Sequence, residues 1–227
     1  MSKKKKNSNY KSSQVKVEEK KPTISRNMWI IIAVCSLLVI GLTITIIAVA
    51  TKNNKKNDDT VVENAFVEMD FGEYGKILLE IDRKNAPITS ENFLSLVEDG
   101  FYDGLTIFRS HSGFVIQGGE NESVSLTPIE GEFASNGHFN PISHKRGVIS
   151  MARTSAPNSA TSQFFITLSD SAAYSLDGEY AGFGYVIEGM DVVDAIASAL
   201  LPYSTNSMGF VADENAITIV SAKIVER

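Results

Sequence analysis

The hydropathy pattern divides the chain into unequal parts. Residues 28–50 (MWIIIAVCSLLVIGLTITIIAVA) contain no charged residue. At a helical rise of about 1.5 Å per residue this run reaches roughly 34 Å, enough to cross a hydrocarbon core about 30 Å thick. It predicts one transmembrane helix, with Trp29 at the interface. From residue 65 the pattern changes to short apolar runs separated by Gly and Asp turns. Residues 65–71 and 76–81 flank Gly72-Glu73-Tyr74-Gly75 and predict a hairpin. Pro87 followed by Thr89-Ser90-Glu91 predicts a helix start. Phe93, Leu94 and Val97 fall at helical spacing before Gly100 ends the segment. Further strands are predicted at 105–109, 114–117, 147–152, 163–168, 183–187 and 216–226. A second helix is expected at 190–199, with Val192, Val193 and Ile196 on its inner face. Many short strands with two helices imply a mainly β fold, a closed barrel with covered ends. Residues 201–215 follow no assignable pattern, and no internal repeat is present.

Charge separates these parts further. The formal net charge of the 227 residues is −6, but residues 1–27 carry +7 and residues 65–227 carry −13. A leader rich in Lys, Ser and Asn buries too little apolar surface to fold, so 1–27 is read as a disordered cytoplasmic segment. Positive charge before the apolar run places the N-terminus in the cytoplasm and the rest of the chain outside the cell membrane. The run at 28–50 is then a signal anchor contacting the lipid bilayer, and 51–64 is a polar linker. A cleaved signal peptide is the rival reading, since Ala48-Val49-Ala50 has a small-x-small pattern. The apolar run is long for that role. A domain at −13 is poorly suited to phosphate backbones, so no nucleic acid is expected as partner. The single cysteine, Cys35, excludes an intramolecular disulfide and a cysteine-based zinc site.

Three stretches carry the candidate chemistry. They are Phe108-Arg109-Ser110-His111-Ser112-Gly113-Phe114-Val115-Ile116-Gln117-Gly118-Gly119, then Ser150-Met151-Ala152-Arg153-Thr154 with Ser162-Gln163-Phe164-Phe165-Ile166, then Leu176-Asp177-Gly178 with Phe183-Gly184. In this order and spacing the chain resembles the cyclophilin family of peptidyl-prolyl cis-trans isomerases over residues 65–227. The Ser150–Thr154 stretch and Tyr180 look closer to bacterial members. The resemblance implies a closed eight-stranded β barrel capped by two helices, acting as a monomer on proline-containing polypeptides, without metal or cofactor.

An X–Pro isomerase must lower a barrier of about 18–20 kcal/mol that amide resonance creates. It needs an apolar socket for the proline ring and a donor that favours the twisted amide, whose nitrogen becomes more basic as resonance is lost. The resemblance implies that Arg109 is the catalytic donor, supported by Gln117. It likewise implies that Phe114, Val115, Phe165 and Leu176 line the proline socket. Ala152, Arg153, Thr154 and Gln163 fall where the family touches the substrate backbone or orders the arginine. Ser175 stands where many members carry an aromatic residue that grips cyclosporin, Tyr180 where many carry histidine, and Val115 where methionine is usual. These departures bear on drug affinity and substrate preference. His111, beside Arg109, is read as a partly exposed structural residue rather than a general base, since no nucleophile elbow accompanies any histidine. Two rivals use the same domain without turnover: a proline-binding holdase chaperone and an envelope scaffold module. Arg109 and Gln117 together argue for the enzyme acting on exported or surface proteins.

Overall fold

A computed structural model describes residues 63–227. The leader at 1–27, the anchor at 28–50 and nearly all of the linker at 51–64 lie outside the described residues. Among the described residues no helix is long and apolar enough to cross a membrane. The strands are β1 (Ala65–Asp70), β2 (Lys76–Ile81), β3 (Thr106–His111), β4 (Val115–Gly118), β5 (Val148–Met151), β6 (Phe164–Thr167), β7 (Gly182–Glu188), β8 (Ile217–Thr218) and β9 (Ser221–Val225). The helices are α1 (Pro87–Glu98), α2 (Ala173–Leu176) and α3 (Met190–Leu200).

All nine strands join one curled antiparallel sheet, in the order β8-β3-β4-β6-β5-β7-β2-β1-β9. Eight strands and two helices were expected. The added strand arises because the single strand expected at 216–226 is two. β8 pairs with β3 and β9 pairs with β1, and the change of partner falls between Ile219 and Val220. The Ile219 N–H donates to Leu105 O (2.7 Å), whereas the Val220 N–H donates to Asp70 O (2.8 Å). The edges of the sheet are therefore successive pieces of one segment, and the closed eight-stranded barrel is replaced by a nine-stranded sheet. The added helix, α2, is one turn that the apolar pattern is too short to reveal.

The strands divide their side chains between two apolar clusters because successive residues face opposite sides. Ile116, Ile149, Phe164 and Ile166 point into the main core with Val67, Leu79 and Phe93. Val115 and Phe165, one position away, join a smaller outer cluster with Ala172 and Leu176. This explains why every residue of β4, β5 and β6 is buried instead of alternating with solvent. Phe93 of α1 anchors the main core, with ring centroids 5.0 Å from Phe183 and 5.2 Å from Tyr102.

Helix α1 begins two residues before the expected Thr89, at Pro87, where a missing N–H costs the helix nothing. Its local N-cap, Ala86, has no side-chain oxygen to offer. The buried carboxylate of Glu132 does this work from 43 residues away, accepting from the Thr89 N–H (2.8 Å) and hydroxyl (2.7 Å). Its other oxygen accepts from the Ile88 N–H at 3.0 Å. A negative group at a helix N-terminus satisfies orphan donors and opposes the helix dipole.

Candidate active site

The sheet registers place Arg109 opposite Gln117, Gln117 opposite Phe165, and Phe165 opposite Ser150. Directly opposed residues share a face, so these four form one row across β3, β4, β6 and β5 on the outer side of the sheet. The row is the frame of the site.

At one end the Arg109 guanidinium is fixed from two sides. Nη1 donates to Gln117 Oε1 at 2.7 Å, and Nε donates to the Met208 carbonyl at 2.8 Å. Its carbon lies 5.2 Å from the centroid of the Phe210 ring, within the range of a cation–π contact. Gln117 in turn donates to Gln163 Oε1 (2.8 Å), and Gln163 donates to Glu120 Oε1 (2.7 Å). The amide orientations are thereby fixed, and Gln117 must present its oxygen to Arg109. Burial lowers the Arg109 pKa from its ordinary value, with Tyr180 opposing the shift. A guanidinium nevertheless stays charged at any working pH. Among the described residues two of its five N–H groups are engaged, which leaves three for a ligand.

Beside Arg109 lies a cavity of about 410 Å³. Phe114, Val115, Phe165 and Leu176 form its apolar part, and Ala152, Ser175 and Tyr180 complete that rim. Tyr180 meets Phe165 edge-on, with centroids 5.5 Å apart. Ten of the twelve residues singled out in the sequence line this cavity. The other two, Thr154 and Gln163, line an adjoining hollow of about 210 Å³ that shares Gln117, Ala152 and Arg153 with it. Arg153 is more heavily engaged than a substrate contact requires. Its guanidinium donates to Glu179 O (2.8 Å) and Thr154 O (2.9 Å), and lies 4.8 Å from both the Phe133 and Tyr180 rings. It braces the rim between the two hollows.

Several participants escaped the sequence reading. Met208 and Phe210 line the cavity from the segment that showed no pattern. His144 is another. Its buried ring stacks on Phe165 with centroids 6.0 Å apart. Its Nδ1–H donates to Asp177 Oδ1 and its Nε2 accepts from Ser150 Oγ, both at 2.9 Å. The carboxylate, an acceptor only, sets this tautomer. Burial lowers the His144 pKa, outweighing the Asp177 contact that raises it. Burial alone would raise the Asp177 carboxyl, but hydrogen bonds from the His144 backbone, Ser143 and the His144 ring carry it below its ordinary value. The order Ser–His–Asp resembles a hydrolase triad, yet Ser150 is 0 % exposed and cannot meet a substrate. The trio supports the socket floor from behind. His111 packs edge-on against Phe114 at 5.5 Å, with Nδ1 buried and without a partner among the described residues, and is placed to shape that ring.

Known proteins resemble this chain over most of the described residues. The family described as cyclophilin type peptidyl-prolyl cis-trans isomerase/CLD matches residues 66–224. A peptidyl-prolyl cis-trans isomerase of Acinetobacter baylyi is 42% identical over 169 residues, covering 71% of this chain and 86% of that protein. Peptidyl-prolyl cis-trans isomerase A of Dickeya dadantii is 38% identical over 158 residues, covering 67% of this chain and 81% of its own length. Among solved structures, a Cryptosporidium parvum cyclophilin superimposes with a TM-score of 0.60 at 26% identity, covering 72% of this chain and 99% of that one. The same protein in the presence of the dipeptide Ala-Pro gives a TM-score of 0.59. The chain belongs to the cyclophilin family and is a peptidyl-prolyl cis-trans isomerase.

Proposed function

We propose that this isomerase is a single-pass membrane protein that interconverts X–Pro bonds in exported or surface polypeptides as they fold outside the membrane. The catalytic part of the reading is carried by one observation. Arg109 is tethered by Gln117 and the Met208 carbonyl, which among the described residues leaves three N–H groups beside a cavity with an apolar wall. A proline ring enters the socket of Phe114, Val115, Phe165 and Leu176. As the amide twists, its nitrogen lone pair is released from resonance and accepts from Arg109. That contact is weak in either planar isomer and strong at the top of the barrier, which is the condition for turnover rather than tight binding. No proton is transferred and no bond is broken. Substitution of Arg109 tests this part: exchange of a prolyl peptide should slow by orders of magnitude in Arg109→Ala while the domain stays folded.

The cellular part rests on the uncharged run at 28–50 and the basic leader before it. Protease added to intact cells, with the cell wall removed, is expected to digest a C-terminal tag and spare an N-terminal one. A C-terminal tag that stays protected until lysis contradicts the topology. A mature chain beginning at Thr51 contradicts the anchor while leaving export intact.

A further inference from the structure

The wall of the cavity beyond Arg109 belongs to residues 201–211, which the family resemblance did not assign. This segment leaves α3 through a short turn and then lies along β3. The Ser110 N–H donates to Gly209 O (2.8 Å) and the Val211 N–H donates to Phe108 O (2.9 Å), extending the pairing of β3 past the end of β8. Asn206 Oδ1 accepts from the Met208 N–H at 2.9 Å, and the Thr205 N–H donates to Phe210 O at 2.7 Å, so the turn is closed on itself. Gly209 has φ of +84°, and a Cβ at that position would collide with the Ser110 carbonyl oxygen. The turn therefore seats only with glycine there. The result is a fixed backbone carbonyl on Arg109 Nε, an aromatic face beneath the guanidinium, and a Met208 side chain left 52% exposed on the rim of the cavity.

We propose that this segment does two jobs in the reaction: Phe210 positions Arg109, and Met208 selects the side chain that flanks the proline on the side away from the Ala152–Thr154 hollow. Arg109 has a long, rotatable side chain, and the Gln117 contact alone fixes only one of its nitrogens. The Met208 carbonyl and the Phe210 ring fix the plane of the fork, which decides where its free N–H groups point. A peptide whose proline occupies the socket spans the cavity, with one flank toward Ala152–Thr154 and the other toward Met208. Methionine is unbranched and polarizable, so it moulds to apolar groups of different shapes. The substrates favoured on that flank carry a medium or large apolar side chain, such as leucine, over glycine.

The inference rests on the isomerase reading, and the full chain tests both. Exchange rates are measured on two peptide series, one varying the residue before the proline and one varying the residue after it, with Leu or Gly at the varied position. In Met208→Ala, the ratio of kcat/KM for Leu against Gly is expected to fall roughly tenfold in one series and to hold in the other, because truncation strips apolar surface from a single subsite. In Phe210→Leu, kcat is expected to fall roughly tenfold in both series with KM nearly unchanged, since the guanidinium no longer rests on an aromatic face. Phe210→Tyr, which keeps the ring, is expected to restore it. Equal ratios in Met208→Ala and parent, or a Phe210→Leu kcat at the parental value, overturn the inference while the isomerase reading stands. So does a Phe210→Tyr variant as slow as Phe210→Leu at matched thermal stability. A parent chain inactive on every peptide overturns both.

Discussion

On one side of Arg109 the cavity wall is Val115 and Phe165, held in paired strands whose registers fix their side chains, together with Phe114 from the turn between β3 and β4. On the other side it is Met208 and Phe210, held by a turn. The first wall is continuous with buried strands, so its shape depends on packing shared with the main core. The second rests on a few backbone hydrogen bonds and one glycine. Damage to the first wall should therefore register in stability and activity together, whereas damage to the second should register in rate and selectivity with the fold intact.

The largest expected effect falls on the group that both walls hold. Arg109→Ala should lower kcat by about 10²–10³-fold, the usual cost of removing a preorganised transition-state donor. Thermal unfolding should stay near the parent, because the guanidinium lies on the outer face. Next, Phe165→Ala should lower the unfolding free energy by about 3–5 kcal/mol, since it empties a buried site shared with Leu176, His144 and Tyr180. Denaturant melts would check this, and a loss of activity without a loss of stability would erase the contrast between the walls. Away from the cavity, Glu132→Ala should cost about 1–3 kcal/mol by stripping the side-chain cap of α1, with kcat unchanged.

The smallest effects concern pH and metal. His144 is held neutral in the fold, its pKa depressed by burial below an unfolded value of about 6.5. Above that pH neither state is protonated and its contribution is intact. As the pH falls below it the unfolded chain takes up the proton first, so stability declines. Asp177, also depressed, adds a further loss as the pH falls through the carboxylate range. Melting temperatures from about pH 8 to 5 should be flat and then fall, and His144→Gln should flatten part of the decline. A Tm that rises on acidification contradicts the assignment. Over about pH 6–8 the rate itself should change little and should survive excess chelator, because Arg stays protonated throughout. A bell-shaped profile would instead indicate a titrating acid or base and contradict this mechanism.

What the sequence disclosed follows the same division. Short apolar runs between Gly and Asp turns placed seven of the strands and the start of the eighth, and one motif set named the residues of the wall built on β4 and β6. The division of the last strand was hidden, because Ile219 and Val220 are both good strand residues and only the change of hydrogen-bonding partner separates them. The Glu132 cap was hidden because its partners lie 43 and 44 residues away, whereas local signals point to Thr89-Ser90-Glu91. His111 drew attention through its neighbour in sequence, while His144, 33 residues before Asp177, is the histidine built into the floor. Met208 and Phe210 carried one usable signal, Gly209 between them, but a lone glycine in a polar stretch does not say which strand it meets.

The mechanism proposed above has catalysis depend on the Arg109 fork, and not merely on its charge, favouring the twisted amide. Arg109→Lys tests this most directly, because lysine keeps the charge but cannot be held by Gln117 and the Met208 carbonyl while addressing a third acceptor. The measurement is the cis–trans exchange rate of a prolyl peptide at saturating and sub-saturating concentrations, on parent, Arg109→Lys and Arg109→Ala with matched thermal unfolding. Both variants are expected to lose most of kcat with a smaller change in KM, and the lysine to recover little. A lysine variant turning over at close to the parental rate would contradict the role of the fork.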